Sequence, residues 1–190
     1  MCLECIRSIE RVQRDSSDGI YACFDYRDPL VKKAIWDLKY HKRSSVGHLL
    51  GKLMYENQIE EVADIRIYTS GRSICVIPVP LSKSRLKFRG YNQANMLARG
   101  FCDCGEDGLF EIITDAITKK DSPPQARINN RKRRLNNVKD CFEVVKKDAI
   151  KGRTIIVIDD VTTTGGTMTE IIKVLKKSGA KRVVGMALAH

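Results

Sequence analysis

The clearest hydrophobic pattern lies in the C-terminal part of the sequence. Short apolar runs at 141–145, 154–158 and 182–189 are typical of strands. Between the last two runs, apolar residues recur at helical spacing: Met168, Ile171, Ile172 and Leu175. Gly179 follows them, at a position where a glycine commonly ends a helix. The order of these elements predicts a strand–helix–strand unit with parallel strands.

The N-terminal half also alternates strand and helix patterns. Alternating apolar and polar residues at 19–26 predict a strand, and Pro29 suits the first turn of a following helix because its fixed φ matches helical geometry. Apolar residues at helical spacing cover 46–62. The apolar run at 73–80 ends in two prolines, which is typical of a buried parallel strand that leads into a loop.

Helical spacing resumes from Tyr91, whereas the apolar segment 109–117 fits a strand or a helix equally well. Residues 119–139 are polar and rich in turn formers, so they predict a flexible basic loop. Strands that alternate with helices indicate the α/β class, with a mainly parallel sheet covered by helices on both faces. In such sheets, ligands bind outside the carboxyl ends of the strands.

Composition narrows the class of protein. A length of 190 residues with 43% hydrophobic residues fits one globular domain, and the net charge of +11 attracts nucleic acid, acidic membranes or phosphorylated small molecules. No apolar run approaches the roughly 20 residues of a membrane span. Seven dispersed cysteines indicate reduced thiols and not a disulfide framework. We expect a cytoplasmic protein.

The segment 155–167 carries the candidate chemistry. An apolar strand delivers Asp159 and Asp160 to a turn of small and hydroxyl residues that opens a helix. The backbone N–H groups of 162–167 and the helix dipole suit one phosphate group, and Gly165 and Gly166 permit close approach. Neither a GK[ST] turn nor GxGxxG is present, which argues against ATP and NAD sites.

The two carboxylates suggest what accompanies the phosphate. They would repel a polyphosphate placed on them, but they accept hydrogen bonds from sugar hydroxyls and suit a nearby Mg²⁺ ion. Ribose, phosphate and metal together are therefore indicated. In the alternative interpretation, Asp159 and Asp160 only cap a turn.

These residues resemble a known family. Four hydrophobic residues, two acids and VTTTGGT match the signature for 5-phosphoribosyl-1-pyrophosphate (PRPP) in type I phosphoribosyltransferases. Segments 38–43, 77–98 and 123–144 resemble the ComF (GntX-like) branch of this family, which is linked to competence and DNA uptake. The resemblance implies a type I phosphoribosyltransferase fold with a small N-terminal hood.

The resemblance also implies a set of site residues. Asp159 and Asp160 would meet the ribose hydroxyls and Mg²⁺, and Arg89 and Arg127 would act on the leaving pyrophosphate during catalysis. The remaining PRPP contacts would come from the turn after the strand and from a pyrophosphate loop: Val161, Thr162, Thr163, Thr164, Gly165, Gly166, Thr167, Leu81, Ser82 and Lys83.

Other basic residues have two interpretations each. The run Arg131, Lys132, Arg133 and Arg134 either binds single-stranded DNA or belongs to a solvated loop that closes over PRPP, and no aromatic residue is interleaved with it. Arg89 either approaches pyrophosphate or belongs to a turn in which Asn92 caps the next helix. Lys39, Tyr40 and His41 either reach the site or form an exposed helix end.

The N-terminus departs from the family pattern. The family has two CxxC pairs in a zinc module, whereas residues 1–17 keep only Cys2 and Cys5, and one pair cannot complete a tetrahedral site. The CxC spacing of Cys102 and Cys104 is a poor substitute, so we predict no zinc. The phosphoribosyltransferase-type domain would cover 18–190, with 18–45 as the hood-like part.

We therefore expect a PRPP- and Mg²⁺-binding phosphoribosyltransferase-like protein connected with DNA uptake, and a glycosyltransferase if an acceptor exists. The alternative is a non-catalytic module that handles single-stranded DNA, with PRPP as a regulator or relic. Other competence proteins are expected partners. The resemblance also implies a homodimer, although no heptad or apolar stripe demonstrates one. The sequence does not identify an acceptor.

Overall fold

The computed structural model describes residues 9, 11–16, 19–40, 44–120 and 141–190. Its strands are β1 (Arg11–Ser16), β2 (Ile20–Phe24), β3 (Ile74–Pro78), β4 (Phe110–Ile112), β5 (Ile117–Lys119), β6 (Phe142–Val144), β7 (Thr154–Val161) and β8 (Arg182–Ala189). Its helices are α1 (Pro29–Tyr40), α2 (Ser44–Asn57), α3 (Ile59–Ile67), α4 (Lys83–Arg89), α5 (Gln93–Cys102), α6 (Lys147–Ile150) and α7 (Gly166–Lys177).

The main sheet has six strands in the order β1-β2-β8-β7-β3-β4. Strand β1 pairs antiparallel with β2, and the other neighbours are parallel. Strands β5 and β6 form a separate antiparallel pair. The predicted α/β class with a mainly parallel sheet is therefore confirmed, as is the parallel unit of β7, α7 and β8.

Side chains of β7 pack on both faces of the sheet. Ile156 and Ile158 belong to a core that includes residues of α1, α2, α3 and α5, whereas Ile155 and Val157 belong to a core with α7, β5 and β6. Alternation along the strand explains this division, because successive side chains point to opposite faces. A strand covered on both sides is continuously apolar until it reaches the sheet edge.

Helices α2 and α5 approach closely at two glycines. A Cβ atom on Gly51 would overlap the carbonyl oxygen of Leu97, and one on Gly100 would overlap that of His48. The two backbones are therefore in contact because neither glycine has a side chain. This packing holds α5 so that its N-terminus lies near the carboxyl end of β7.

Two sequence predictions were wrong in detail. The expected helix over 46–62 is divided into α2 and α3 at Gln58, which has non-helical φ and ψ of −116° and 23°. The segment 109–117 is neither one strand nor one helix, because β4 joins the edge of β3 and β5 pairs with β6. Sequence analysis also did not anticipate β1 or α4.

No disulfide joins the cysteines within the described part of the chain. Among those same residues, no helix has both the length and the apolar character needed to cross a membrane. The expected division at 17/18, the hood-like part and the absence of zinc remain predictions, since most of residues 1–18 lie outside the described ranges.

Candidate functional site

The candidate site lies at the carboxyl end of two neighbouring parallel strands. Strand β7 carries Asp159 and Asp160 close to its end, and β3 is its parallel neighbour. Just beyond β3, Val79 N donates a hydrogen bond to Ile158 O at 2.8 Å. The loop after β3 and the loop after β7 therefore open at the same edge of the sheet, as ligand sites in α/β folds do.

The loop after β7 presents polar groups and open backbone to solvent. Thr163 and Thr164 are exposed, whereas Thr162 is buried and its N–H donates to Ala189 O at 2.9 Å. Gly165 precedes α7 with a φ of 72°, in the left-handed region, and makes no side-chain cap. The first N–H groups of α7 thus lack a capping side chain, which suits an anion at this helix end.

Asp160 is buried and held by two donors. Its Oδ2 lies 3.0 Å from Lys39 Nζ and accepts a hydrogen bond of 3.2 Å from Gln93 Nε2. Lys39 lies near the C-terminal end of α1, and Gln93 is the first residue of α5. Gln93 itself is 5% exposed, and its Oε1 has no hydrogen-bond partner among the described residues. Three elements therefore converge on this carboxylate.

The Asp159 carboxyl has a raised pKa. Its Oδ1 accepts a hydrogen bond of 2.8 Å from the backbone N–H of Asp160. The pKa of Asp159 is raised to about 8, mainly by burial and secondarily by repulsion from the Asp160 carboxylate. A bound cation would relieve this repulsion, because it favours the charged form of the carboxylate.

The donor set fits a magnesium ion held partly by a ligand. Asp159 and Asp160 supply hard carboxylate oxygens of the kind Mg²⁺ prefers. In the described ranges, no group of three or more His, Cys, Asp or Glu side chains surrounds a metal position. A Mg²⁺ ion here would therefore complete its shell with water or with oxygens of the bound ligand.

Lys119 joins the site from the end of β5. Burial and, to a lesser extent, the charge of Arg85 lower its pKa, while the charge of Asp159 acts in the opposite direction. The backbone of Lys119 also forms an isolated parallel β-bridge with that of Ser82, just after β3. Sequence analysis placed Lys119 only at the start of the basic loop, because no local pattern brings β5 near β7.

The predicted pyrophosphate loop is partly a helix start. Ser82 caps α4, and its Oγ accepts a hydrogen bond of 3.4 Å from Arg85 N. Leu81 precedes this cap, and Lys83 is the first residue of the helix. Serine is a preferred N-cap because its hydroxyl oxygen can accept a hydrogen bond from one of the first N–H groups of the helix.

Arg89 and Asn92 follow α4. The guanidinium of Arg89, at the end of α4, lies 5.9 Å from the centre of the Tyr40 ring. Asn92 Oδ1 accepts a hydrogen bond of 3.0 Å from Ala94 N, which confirms its capping of α5. The predicted approach of Arg89 to pyrophosphate remains a prediction.

A cavity of about 690 Å³ lies beside the loop after β7 and not on it. Its walls come from the loop after β3, α4, α5 and β5, and include Leu81, Lys83, Tyr91, Asn95 and Lys119. None of the residues 159–167 lines it. The shared residues Leu81, Lys83 and Lys119 make it continuous with the proposed pyrophosphate side of the site.

Several predicted residues lie outside the described ranges: Arg127, Arg131, Lys132, Arg133, Arg134, His41, Cys2 and Cys5. Cys102 and Cys104 are described. Burial raises the pKa of Cys102 to about 12, and Cys104 Sγ donates to Gly100 O at 3.6 Å. Burial also raises the pKa of the Cys104 thiol, and the predicted absence of zinc stays a prediction.

Comparisons with known proteins bear on this site. A family model described as "Phosphoribosyl transferase domain" matches residues 88–190. The "DNA utilization protein YhgH" of Shigella flexneri is 30% identical over 164 residues, which cover 84% of this chain and 66% of that protein. "Competence protein F" of Haemophilus influenzae is 29% identical over 191 residues, which cover 100% of this chain and 78% of that protein.

A solved structure also resembles the chain. It is titled "Structure of the allosteric regulatory enzyme of purine biosynthesis", and it aligns with a TM-score of 0.47 and 15% identity. The alignment covers 80% of this chain and 29% of that one. This chain thus spans about two thirds of the length of the first relative and less than a third of the solved structure.

Proposed function

This chain belongs to the phosphoribosyltransferase domain family, in its ComF-like branch, and from this premise we propose that it binds PRPP together with Mg²⁺ at the carboxyl end of β7. The proposal rests on one arrangement: Asp159 and Asp160 lie shortly before the start of α7, and that helix start has no capping side chain. A sugar with vicinal hydroxyls and a single 5-phosphate matches both halves of this arrangement.

Each half has its own part in binding. Asp159 and Asp160 would accept hydrogen bonds from the two ribose hydroxyls, and residues 162–167 would surround the 5-phosphate. The pyrophosphate would extend toward the loop after β3, where Leu81, Ser82, Lys83 and Lys119 lie near one another. Lys119, on whose pKa the charge of Asp159 acts, would help to balance the charge of the pyrophosphate.

The same residues would stabilise the charges that develop on PRPP during phosphoribosyl transfer. When the bond from C1 of the ribose to pyrophosphate breaks, positive charge develops on the sugar and negative charge on the leaving group. Bound Mg²⁺ would supply charge stabilisation for the leaving group. Asp159 would stabilise the sugar, and the basic residues near the loop after β3 would hold the pyrophosphate.

The biological setting is proposed from the relatives. One is named for DNA utilization and another for competence. We propose that this chain acts in the same setting, and that DNA and competence proteins are its partners. PRPP is then either a substrate or a ligand that regulates the handling of DNA.

Calorimetry tests the PRPP site directly. We expect saturable binding of PRPP in the presence of Mg²⁺, weaker binding of ribose 5-phosphate, and loss of both on Asp159→Asn/Asp160→Asn. Thr163→Val gives a second variant that alters the exposed loop without removing a buried carboxylate. The matched control is Asp148→Asn, which removes an exposed carboxylate from α6.

The outcomes separate the two functions. If folded wild-type protein binds no PRPP, the signature is a relic and the non-catalytic alternative stands. If PRPP binds and both the double variant and Thr163→Val weaken it while Asp148→Asn does not, the site is established. Release of pyrophosphate in the presence of candidate acceptors then measures transfer.

A further inference from the structure

The outer side of α1 carries an unusual surface. We call it the α1 surface and define it by the residues that line one groove: Tyr26, Lys32, Lys33, Ile35, Trp36, Lys39, Tyr40 and Arg89. The groove encloses about 520 Å³. It combines aromatic rings and cations. Two of its residues also bear on the proposed PRPP site: Lys39 contacts Asp160, and Arg89 is predicted to approach pyrophosphate.

The aromatic residues of the α1 surface are accessible. Trp36 and Tyr40 are each 54% exposed, and Tyr26 is 36% exposed. The rings of Trp36 and Tyr40 lie 5.5 Å apart at an angle of 45°. Two large aromatic side chains at this exposure on one helix face are a feature of binding surfaces, because exposure gives no benefit to folding.

Cations surround these rings. Lys32 and Lys33 are exposed on α1, and Arg89 reaches over Tyr40 from the end of α4. None of the residues that line the groove is acidic. The acids nearest in sequence hold their own turns or are buried: Asp25 Oδ1 accepts a hydrogen bond of 2.7 Å from Arg27 N, Asp28 Oδ1 accepts one of 2.6 Å from Leu30 N, and Asp37 is buried. The residues that line the groove therefore carry positive charges and no negative ones.

We infer that the α1 surface binds single-stranded nucleic acid, with unpaired bases stacked on Trp36 and Tyr40 and phosphates held by Lys32, Lys33 and Arg89. Accessible rings beside a positively charged groove are the combination that single-strand binding proteins use. A duplex presents its phosphates but hides the faces of its bases. An acidic peptide would use the cations but leave the rings without a stacking partner.

Lys39 connects this surface to the carboxyl end of β7. Its side chain lines the groove, and its Nζ lies 3.0 Å from Asp160 Oδ2. A strand bound on the α1 surface would thus pass beside the candidate PRPP site. The inference does not require PRPP, since Trp36, Tyr40, Lys32 and Lys33 lie outside that site.

Sequence analysis placed the candidate DNA contact elsewhere, in the basic run 131–134. That run lacks interleaved aromatic residues, whereas the α1 surface supplies them. On α1 the relevant positions are 32, 33, 36, 39 and 40, which share one helix face because residues three and four apart are neighbours. The signal was therefore present in the sequence at helical spacing.

Trp36 gives a direct optical probe, because it is the single tryptophan of the chain. We expect a 15-nucleotide oligo(dT) to quench its fluorescence in a saturable manner. Binding should weaken as salt rises, with a slope of roughly −0.7 per phosphate contact. An abasic strand of the same length keeps the phosphates and removes the bases, so it should bind more weakly and leave the fluorescence nearly unchanged.

Variants then assign the contacts, with a labelled oligonucleotide and anisotropy as the readout. Trp36→Leu and Tyr40→Leu should each weaken oligo(dT) binding roughly 5- to 100-fold, the range expected for one stacked base. Neither should change binding of the abasic strand. Lys32→Ser/Lys33→Ser should weaken both strands and lower the salt slope. The matched control is Lys176→Ser/Lys177→Ser, which removes two exposed lysines from the end of α7.

The inference is overturned if the abasic strand binds as tightly as oligo(dT), if both lysine pairs have equal effects, or if a duplex or a poly-glutamate peptide competes equally well. Thermal unfolding confirms that each variant is folded, and Trp36→Phe, which keeps a ring, should retain most of the affinity. PRPP titration of the same variants separates the two sites. Loss of oligonucleotide binding with intact PRPP binding supports the inference, whereas joint loss in folded variants overturns it.

Discussion

Lys39 Nζ lies 3.0 Å from Oδ2 of Asp160, which joins the end of α1 to the carboxyl end of β7. The side chains are 23% and 8% exposed, so solvent screens this pair only partly. Gln93 donates to the same oxygen from α5. The Asp160 carboxylate is thus positioned by residues from two helices that come much earlier in the chain.

Lys39→Met should destabilise the fold. Asp160 would remain buried with Gln93 as its described donor, and a buried polar group that loses a partner costs about 1–3 kcal/mol. Urea unfolding monitored by circular dichroism measures the change. Lys33→Met, an exposed lysine of the same helix, is the control. Equal midpoints for both variants would show that the pair with Asp160 does not stabilise the fold.

The pH dependence of stability should report on Asp159. With its pKa raised to about 8, Asp159 should keep its proton in the folded protein at pH values where an unfolded chain, with a pKa of about 4, has released it. Between these values the folded state binds more protons, so the raised pKa lowers the free energy of unfolding as the pH rises. Asp159→Asn removes this loss.

The variant should therefore be more stable than wild type at pH 8, with a difference that shrinks toward pH 5. Urea unfolding at pH 5, 6.5 and 8 measures it. Asp148→Asn, which removes the same charge from an exposed position on α6, serves as the comparison. A difference for Asp159→Asn that is constant across the three pH values would contradict the raised pKa.

Two glycines flank α7, and substitutions at them allow the start of the helix to be compared with its end. Gly165 and Gly179 have φ values of 72° and 97°, and a Cβ on either would meet only ordinary contacts near 3.5 Å. Alanine at either position should cost about 1–2 kcal/mol because of the left-handed backbone. Only Gly165→Ala should also weaken PRPP binding, since relief of strain there moves the N–H groups of the loop.

Calorimetry with PRPP and Mg²⁺ measures this second effect, and thermal unfolding measures the first. If both variants reduced PRPP affinity equally, the effect would come from general destabilisation of α7. If neither did, the start of α7 would not contact the phosphate.

The contact between α2 and α5 should tolerate no added methyl group. Gly100→Ala would place a Cβ against the backbone carbonyl of His48, where no side chain can move away. We expect a loss of about 1–3 kcal/mol, as for other overpacked cores. Urea unfolding checks this against Arg99→Ala, the exposed neighbour. Equal stability of both variants would show that the helices can separate without cost.

The sequence by itself determined the unit of β7, the turn after it, α7 and β8. Its signals are local: a continuous apolar run marks a strand covered on both faces, helical spacing marks α7, and Gly165 marks a turn that needs a positive φ. Asp159 and Asp160 follow the run directly, so their place at the sheet edge needed no tertiary information. The α/β class follows from the same alternation.

Only the tertiary structure decided which side chains interact with these two carboxylates. Lys39, Gln93 and Lys119 are far from Asp159 and Asp160 in sequence, and no local pattern states which helix end or which short strand reaches the same edge of the sheet. The physical reason is that strand order and close helix contacts, such as that between Gly51 and Gly100, set the distances between elements. Hydrophobic periodicity reports only which face of each element is buried.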